Sequence, residues 1–298
     1  MAEIKLQDMI ETVELTTKDL IGGSYKTKDK VFYDTLKDVE NISDSERIAY
    51  ATDYAVMNYG LLSNLVYGYK DKKPTWYWLR SASSGSTVRC VHFHGNHNGQ
   101  NCSADFAGIR PNLHLNLSSF ISAQKNSPDF FKIEEKSYNG IEDYHTLVFG
   151  YYPKTYVGNK LNSVLESYYS SKTLKATGRR WRKKWNGYQN DDGTFVQNEE
   201  FEYKGERYVR VKTQKYDNNS EYSDGTEASE RGTYKWIKVE PIVWKIRNWD
   251  EMPSEINSNG NGRAKFIDLQ AEDCITSGIP FSEGGVETFW KDSSIRDF

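Results

Sequence analysis

The sequence predicts an α+β protein: antiparallel strands with a few short helices and long loops. Three observations carry that expectation. Aromatic residues are abundant, with 21 Tyr and 8 Trp in 298 residues, while mean hydropathy is low at -0.78. That balance suits half-buried strands better than a helical bundle. Short runs such as "TVRCVHFHG" and "RYVRVKT" alternate apolar and polar residues, the period of a strand with one covered face. Gly, Asn and Ser clusters between the runs supply turn chemistry.

The elements follow in order. "DKVFYDTL" (29–36) reads as a strand. "SDSE" (43–46) is a capping box, in which the Ser43 hydroxyl and the Glu46 carboxylate each satisfy an orphan amide. A second short helix starts at Thr52 and ends at Gly60, a left-handed terminator. Residues 61–75 form a loop, and 76–117 several short strands, with "GNHNGQN" as turn. Residues 121–143 are polar and read as a connector. "YHTLVFGYYPKTYVG" holds a strand ending near Pro153, and "FEYKGERYVRVKT" is a hairpin turning at Lys204-Gly205. In 233–249, Pro241 splits two strand runs. "LQAEDCITSG" (269–278) reads as a short helix closed by Gly278, and "FWKDSSIRDF" as the beginning of another.

Bulk properties bound the function. The chain is long enough for one large domain or two ordinary ones. A net charge of -3 gives no global attraction to nucleic acid or membrane. Three cysteines, Cys90, Cys102 and Cys274, are an odd number and no disulfide framework. "MAEIKLQDMIETVEL" lacks the apolar centre of a signal peptide, and no stretch approaches the roughly 18 uninterrupted apolar residues of a membrane span. The expectation is a soluble chain without membrane insertion. It is cytoplasmic unless a partner carries it to a phage virion or a cell surface.

The densest chemistry lies in "RCVHFHGNHNGQNC" (89–102). On an alternating strand Val88, Cys90, His92 and His94 share one face, with His97 and Cys102 nearby. Such residues can bind zinc, yet no C-x-x-C or H-x₃-H spacing fixes a geometry, and Asn, Gly and Gln intervene. Exposed polar strand residues without metal are the favoured reading, and a zinc-dependent hydrolase comes third. A Cys and a His two residues apart on one strand are no evidence of a base within reach of a nucleophile. Phosphate loops and G-x-S-x-G elbows are absent from the sequence. Glu134-Glu135 and Glu199-Glu200 read as solvated charge. The alternative function is a nucleic-acid or glycan-binding module on "GRRWRKKWNGY" (178–188), where cations flank Trp181 and Trp185. A single short basic patch is a weak footprint, so nucleic acid is not favoured as a partner.

At "TWYWLRSASSGST" and "FAGIRPNLHLNL" the sequence resembles the variable proteins of diversity-generating retroelements. The likeness is in the frame: Trp76, Trp78, Leu79, Arg80 and Ser81 before the odd segment, Gly108, Ile109, Arg110 and Pro111 after it. "VFYDTLKDVEN" and "ATDYA" look like the family's run-in. The resemblance implies a C-type-lectin-like fold and a non-enzymatic ligand binder without cofactor or metal. Trp76, Trp78, Arg80, Gly108, Arg110 and Pro111 would be scaffold. The variable face would comprise Ser84, Ser86, Val88, Arg89, Cys90, His92, His94, Asn96, His97, Asn98, Asn101, Cys102 and Asp105. The partner implied is a protein or glycan ligand on a target surface, and the oligomeric state stays open.

In that family, Asn codons are diversified at their first two bases, which never yields Lys, Glu, Gln, Met or Trp. The 37 residues Ser81–Leu117 contain no Lys, Glu, Met or Trp. Lys and Glu make up about 16% of the chain, so composition alone predicts roughly six in such a window. Gln100 falls outside the permitted set and should be invariant. Histidine crowding then needs no metal, and binding should weaken near pH 6 if a histidine must stay neutral.

The order departs from the family. "RYVRVKT", "KWIKVEPIVWKI" and "ETFWKDSSIRDF" look like the fold's opening half. Residues 1–120 then resemble a C-terminal half carrying the variable face, 121–144 a connector, and 145–298 an N-terminal half, either permuted into one domain or part of a tandem array. Calcium-dependent sugar binding is set aside, because "VEPIVW" and "RNWDE" lack the E-P-N, Q-P-D and W-N-D signatures. Formylglycine-generating enzymes are set aside too, since Cys90 and Cys102 lie in the presumed variable stretch.

Overall fold

Strands from both ends of the chain share one antiparallel sheet. The computed structural model describes residues 6–18, 23–58, 74–126, 132–138, 141–182, 194, 197–214, 221–228, 232–282, 290–293 and 295–296. The short helix α1 (Leu6–Met9) leads into a hairpin of β1 (Val13–Lys18) and β2 (Ser24–Asp29), with β3 (Val31–Phe32) directly behind. Helices α2 (Leu36–Glu40) and α3 (Asp44–Arg47), strand β4 (Ala49–Tyr50), helix α4 (Asp53–Met57) and strand β5 (Pro74–Thr75) follow. Next comes a meander of β6 (Tyr77–Ser84), β7 (Thr87–Val91) and β8 (His97–Asn101), then β9 (Asn112–Asn116) and α5 (Leu117–Asn126). The remaining elements are β10 (Ile133–Tyr138), β11 (Ile141–Tyr156), α6 (Gly158–Ser170), β12 (Lys175–Arg182), β13 (Gln197–Tyr203), β14 (Glu206–Lys212), β15 (Tyr234–Ile246) and β16 (Phe266–Ala271). The class is α+β, dominated by antiparallel strands with few helices.

The large sheet runs β12-β13-β14-β15-β16-β9-β3, with β11 also on β15 and β10 on β11. Strand β15 organises it. β14 pairs with β15 as far as Lys238, and β16 takes over at Trp244. Pro241 falls between these partners, opposite Tyr151, where β11 shifts register. A residue without an N–H donor sits at low cost where the ladder is already interrupted. The predicted split at Pro241 is thus a change of partner within one strand.

Local signals explain several elements. Lys204 and Gly205 adopt φ of 52° and 79° between the paired Tyr203 and Glu206, the two positive values of a tight primed hairpin turn. The Ser43–Glu46 capping box starts α3, and the Thr52 hydroxyl accepts from Ala55 N to start α4. A further box, Thr35–Asp38, starts α2. Gly60 and most of the 61–75 loop lie outside the described residues.

Other expectations need correcting. "DKVFYDTL" is the end of β2 and the two-residue β3, not one strand. Residues 121–143 are no plain connector: they carry most of α5, all of β10 and the start of β11. Strand β10 reads as polar because it is an edge, where Lys132–Glu134 and Lys136–Glu272 ion pairs replace apolar packing. Residues 269–278 are not helical. They finish β16 and continue extended, with Cys274 bridging to Ala51 and Thr276 to Ile109. At the C-terminal end the described residues hold a single 3₁₀ turn, Trp290–Asp292.

Five apolar clusters lie among the described residues, and two of them join distant parts of the chain. In one, Phe120 and Ala123 of α5 pack on Leu113, Leu147, Trp244 and Leu269. In the other, Trp76, Trp78, Val88 and Cys90 pack with Ile279, Phe281, Trp290 and Ile295 from the far end of the chain.

Asp34, just after β3, is 5% exposed and ties the early and late strands together. Its carboxylate accepts from Asn112 Nδ2 at 2.7 Å, Arg247 Nη1 at 2.5 Å and Gln270 Nε2 at 2.5 Å. Removing one partner of a largely buried, hydrogen-bonded ion pair leaves the other charge uncompensated. Asp34→Ala is expected to lower the unfolding free energy by about 3 kcal/mol, read by urea denaturation; a loss near zero would show the carboxylate to be idle.

Candidate functional site

Strands β6, β7 and β8 carry the histidine- and cysteine-rich segment, with β7 in the middle. The register sets Trp78 opposite Cys90, Cys90 opposite Asn98, Val88 opposite Gln100, and Val91 opposite His97. Val88 and Cys90 point into the core with Trp76, Trp78 and Phe281. Val91 points the other way, against Val39, Ala49, Tyr77 and Leu79. The middle strand is therefore covered on both sides.

That arrangement corrects three members of the expected variable face. Val88, Cys90 and Cys102 are each 0% exposed. Their size and apolarity suit the interior behind the sheet, so they are floor rather than surface. Burial pushes the Cys90 thiol up to about 12, which keeps it protonated at neutral pH and removes it as a nucleophile. The other ten positions remain accessible. Ser84, Ser86, His94, Asn96, Asn98 and Asn101 are exposed, while Arg89, His92, His97 and Asp105 are half-buried.

The histidines are not aligned along one strand. β7 ends at Val91, and His92–Asn96 forms a turn closed by His92 N donating to Asn96 O at 2.7 Å and Gly95 N donating to His92 O at 2.8 Å. Only this part of "GNHNGQN" turns, because His97–Asn101 is strand β8. Gly95 has φ of 88°, and a Cβ there would lie 1.7 Å from the Asp44 carbonyl oxygen. No other residue fits. The turn rests on an aromatic cluster in which His92 lies 3.9 Å from Trp76, 3.7 Å from Phe93 and 5.2 Å from His94 between ring centroids. Phe106 packs edge-on to Trp76 at 5.5 Å. Neither Phe93 nor Phe106 is among the expected site residues; on a continuous strand Phe93 would face away from His92 and His94, and the turn brings it to Trp76, 6.0 Å between ring centroids.

All six frame residues are interior. Trp78 Nε1 donates to Ile279 O at 3.3 Å. Arg80 donates through Nε to Tyr33 O at 2.8 Å and through Nη1 to Thr17 Oγ1 at 2.6 Å. Arg110 Nε donates to Ala271 O at 3.0 Å, with its guanidinium 5.3 Å from the Tyr77 ring centroid. A Cβ on Gly108 would lie 2.8 Å from Cys274 Sγ. Pro111 is buried, and its carbonyl accepts from Ala271 N at 2.8 Å. Gln100 is half-buried opposite Val88.

Three buried polar atoms here find no hydrogen-bond partner among the described residues: Trp76 Nε1, Arg89 Nε and His97 Nδ1. Among the described residues no group of three or more His, Cys, Asp or Glu is placed to hold a metal ion. The basic patch is different in kind. Trp181 in β12 donates to Glu200 Oε2 at 3.0 Å and packs edge-on to Tyr152 at 5.0 Å, so its ring is engaged within the protein. Residues 183–188 lie outside the described residues.

Burial, then the neighbouring His94, holds the His92 imidazole below its ordinary value of 6.5. The folded protein thus binds fewer protons than the unfolded chain between the two values. The stability that neutral His92 contributes is full above pH 6.5 and declines as pH falls through that window. An NMR titration is expected to place the His92 midpoint below 6.5, and His94→Asn to move it part of the way back. A midpoint at or above the ordinary value would contradict the packing against Trp76.

In stability measurements, Ser86→Ala, Asn96→Ala and Asn98→Ala combined should shift the unfolding free energy by no more than about 1.5 kcal/mol, whereas Val88→Asp should cost about 3 kcal/mol or more. Equal effects would mean that floor and surface are not distinct.

A family model described as a domain of unknown function (DUF6273) matches residues 3–117, from α1 to the end of β9. Comparisons with curated proteins and with solved structures return no match. No helix among the described residues is long and apolar enough to cross a membrane.

Proposed function

We propose that residues 84–105 form the recognition face of a non-enzymatic, C-type-lectin-like binding module of the kind that diversity-generating retroelements vary. The carrying observation is the division of one short segment into two classes of residue. Exposed polar positions, Ser84, Ser86, His94, Asn96, Asn98 and Asn101, stand over a floor of Val88, Cys90 and Cys102. Backbone hydrogen bonds hold the strands whatever the exposed side chains are, and surface substitutions typically change stability by about 0.5 kcal/mol or less. Such a face tolerates many sequences on one scaffold. Its ligand is a protein or glycan on a target surface, met by amide, imidazole and guanidinium groups around the aromatic turn. The early and late segments together make one permuted domain, a reading supported by the pairing of β9 with β16 and by the Asp34–Arg247 ion pair.

The reading is tested by sequencing the coding region for 76–117, and its neighbouring DNA, in independently propagated lineages. Changes are expected at codons of the exposed positions, with Trp76, Trp78, Val88, Gly95, Gln100, Gly108 and Arg110 constant. A near-copy of the segment should lie beside a reverse-transcriptase gene. A segment constant across lineages with no such copy would overturn the proposal.

A further inference from the structure

Away from the 84–105 segment, one side of the large sheet is hollow. A cavity of about 440 Å³ opens along β9, β11 and β15, within the roughly 300–1,000 Å³ of small-molecule sites. Its walls are apolar: Leu113 from β9, Phe149 from β11, and Ile242 and Trp244 from β15. Gly150, at φ of 72°, adds no side chain to that wall. Val31 and Tyr151 also line the cavity, and they are 43% and 47% exposed. Covering apolar area that stands in water is favourable, so a ligand over this mouth gains what the fold alone does not.

Charge selects the ligand. Arg179 and Arg296 line the cavity, and no Asp or Glu does among the described residues. Arg296 Nε donates to Asp29 Oδ1 at 2.7 Å and Nη1 to Lys291 O at 3.0 Å, which leaves Nη2 without a partner among the described residues. Arg179 lies 4.2 Å from the Trp181 ring centroid and makes no ion pair among the described residues. A neutral hydrocarbon would fill the walls and leave Arg179 and the outer nitrogen of Arg296 unmatched; an inorganic anion would leave the walls bare. We infer that the cavity binds an apolar carboxylate, its hydrocarbon body against Leu113, Phe149, Ile242 and Trp244 and its head between Arg179 and Arg296. This site shares no residue with the 84–105 face and stands or falls separately from it.

Calorimetry with dodecanoate below its micellar concentration tests the inference, with dodecyltrimethylammonium as the cationic comparator. One dodecanoate per chain is expected, with the cation about tenfold weaker or worse. Arg179→Glu, at an exposed position, should weaken dodecanoate about tenfold, and Ile242→Trp, which fills the cavity, should abolish binding. Should Ile242→Trp fail to fold by circular dichroism, Val31→Trp at the half-exposed mouth takes its place. No heat with dodecanoate, equal binding of the cation, or undiminished binding by a folded cavity-filling variant would overturn the assignment.

Discussion

The Asp34 carboxylate is the constraint on which the architecture turns. It sits in the first segment, 5% exposed, and its three side-chain donors come from β9, from Arg247 just past β15, and from β16. A buried carboxylate is tolerable only where its lone pairs are filled, so these four side chains must arrive together. The Asp34 backbone carbonyl also accepts from Arg80 N at 2.9 Å, which joins the hub to β6. The position of the β6–β7–β8 meander is thereby coupled to strands more than a hundred residues later in the chain.

From that coupling follows the two-sided burial of β7. The late segment supplies Ile279, Phe281 and Trp290 against Val88 and Cys90, while the α2–β4 region supplies Val39 and Ala49 against Val91. A central strand covered on both faces contributes mainly rigidity, with only the half-buried Thr87 and Arg89 reaching the surface. Contact surface falls instead to the strand ends, the turns and the edge strand β8. Asn98 shows the effect, because it lies directly opposite the fully buried Cys90 yet is itself exposed.

Legibility in the sequence divided along the same line. The Lys204-Gly205 turn and the caps at Ser43 and Thr52 could be read because each depends on a few adjacent residues. Alternation in "TVRCVHFHG" revealed two faces but not that both are covered, since the covering residues come from elsewhere in the chain. His92 and His94 were misplaced for a related reason: Gly95 makes the turn, and its requirement comes from the Asp44 carbonyl rather than from its neighbours in sequence. "LQAEDCITSG" ends in a glycine with φ of 70°, a helix-stop signal that here follows an extended segment bridged to Ala51 and Ile109. The residues singled out as frame are all buried. Their hydrogen bonds, such as Arg80 to Tyr33 and Arg110 to Ala271, could not be read from the sequence.

The crowded imidazoles have an explanation that does not treat them alike. His94 is exposed, whereas His92 is half-buried, edge-on to Trp76, tilted against Phe93 and stacked on His94. An aromatic pair contributes about 0.5–1.5 kcal/mol beyond the area it covers, so the residue at 92 affects the turn that presents 94 and 96. Variation at 92 would therefore act on the shape of the face, and variation at 94, 96 and 98 on its chemistry. Trp76 is the boundary between them: its ring carries the turn, while its Nε1 is left without a partner among the described residues.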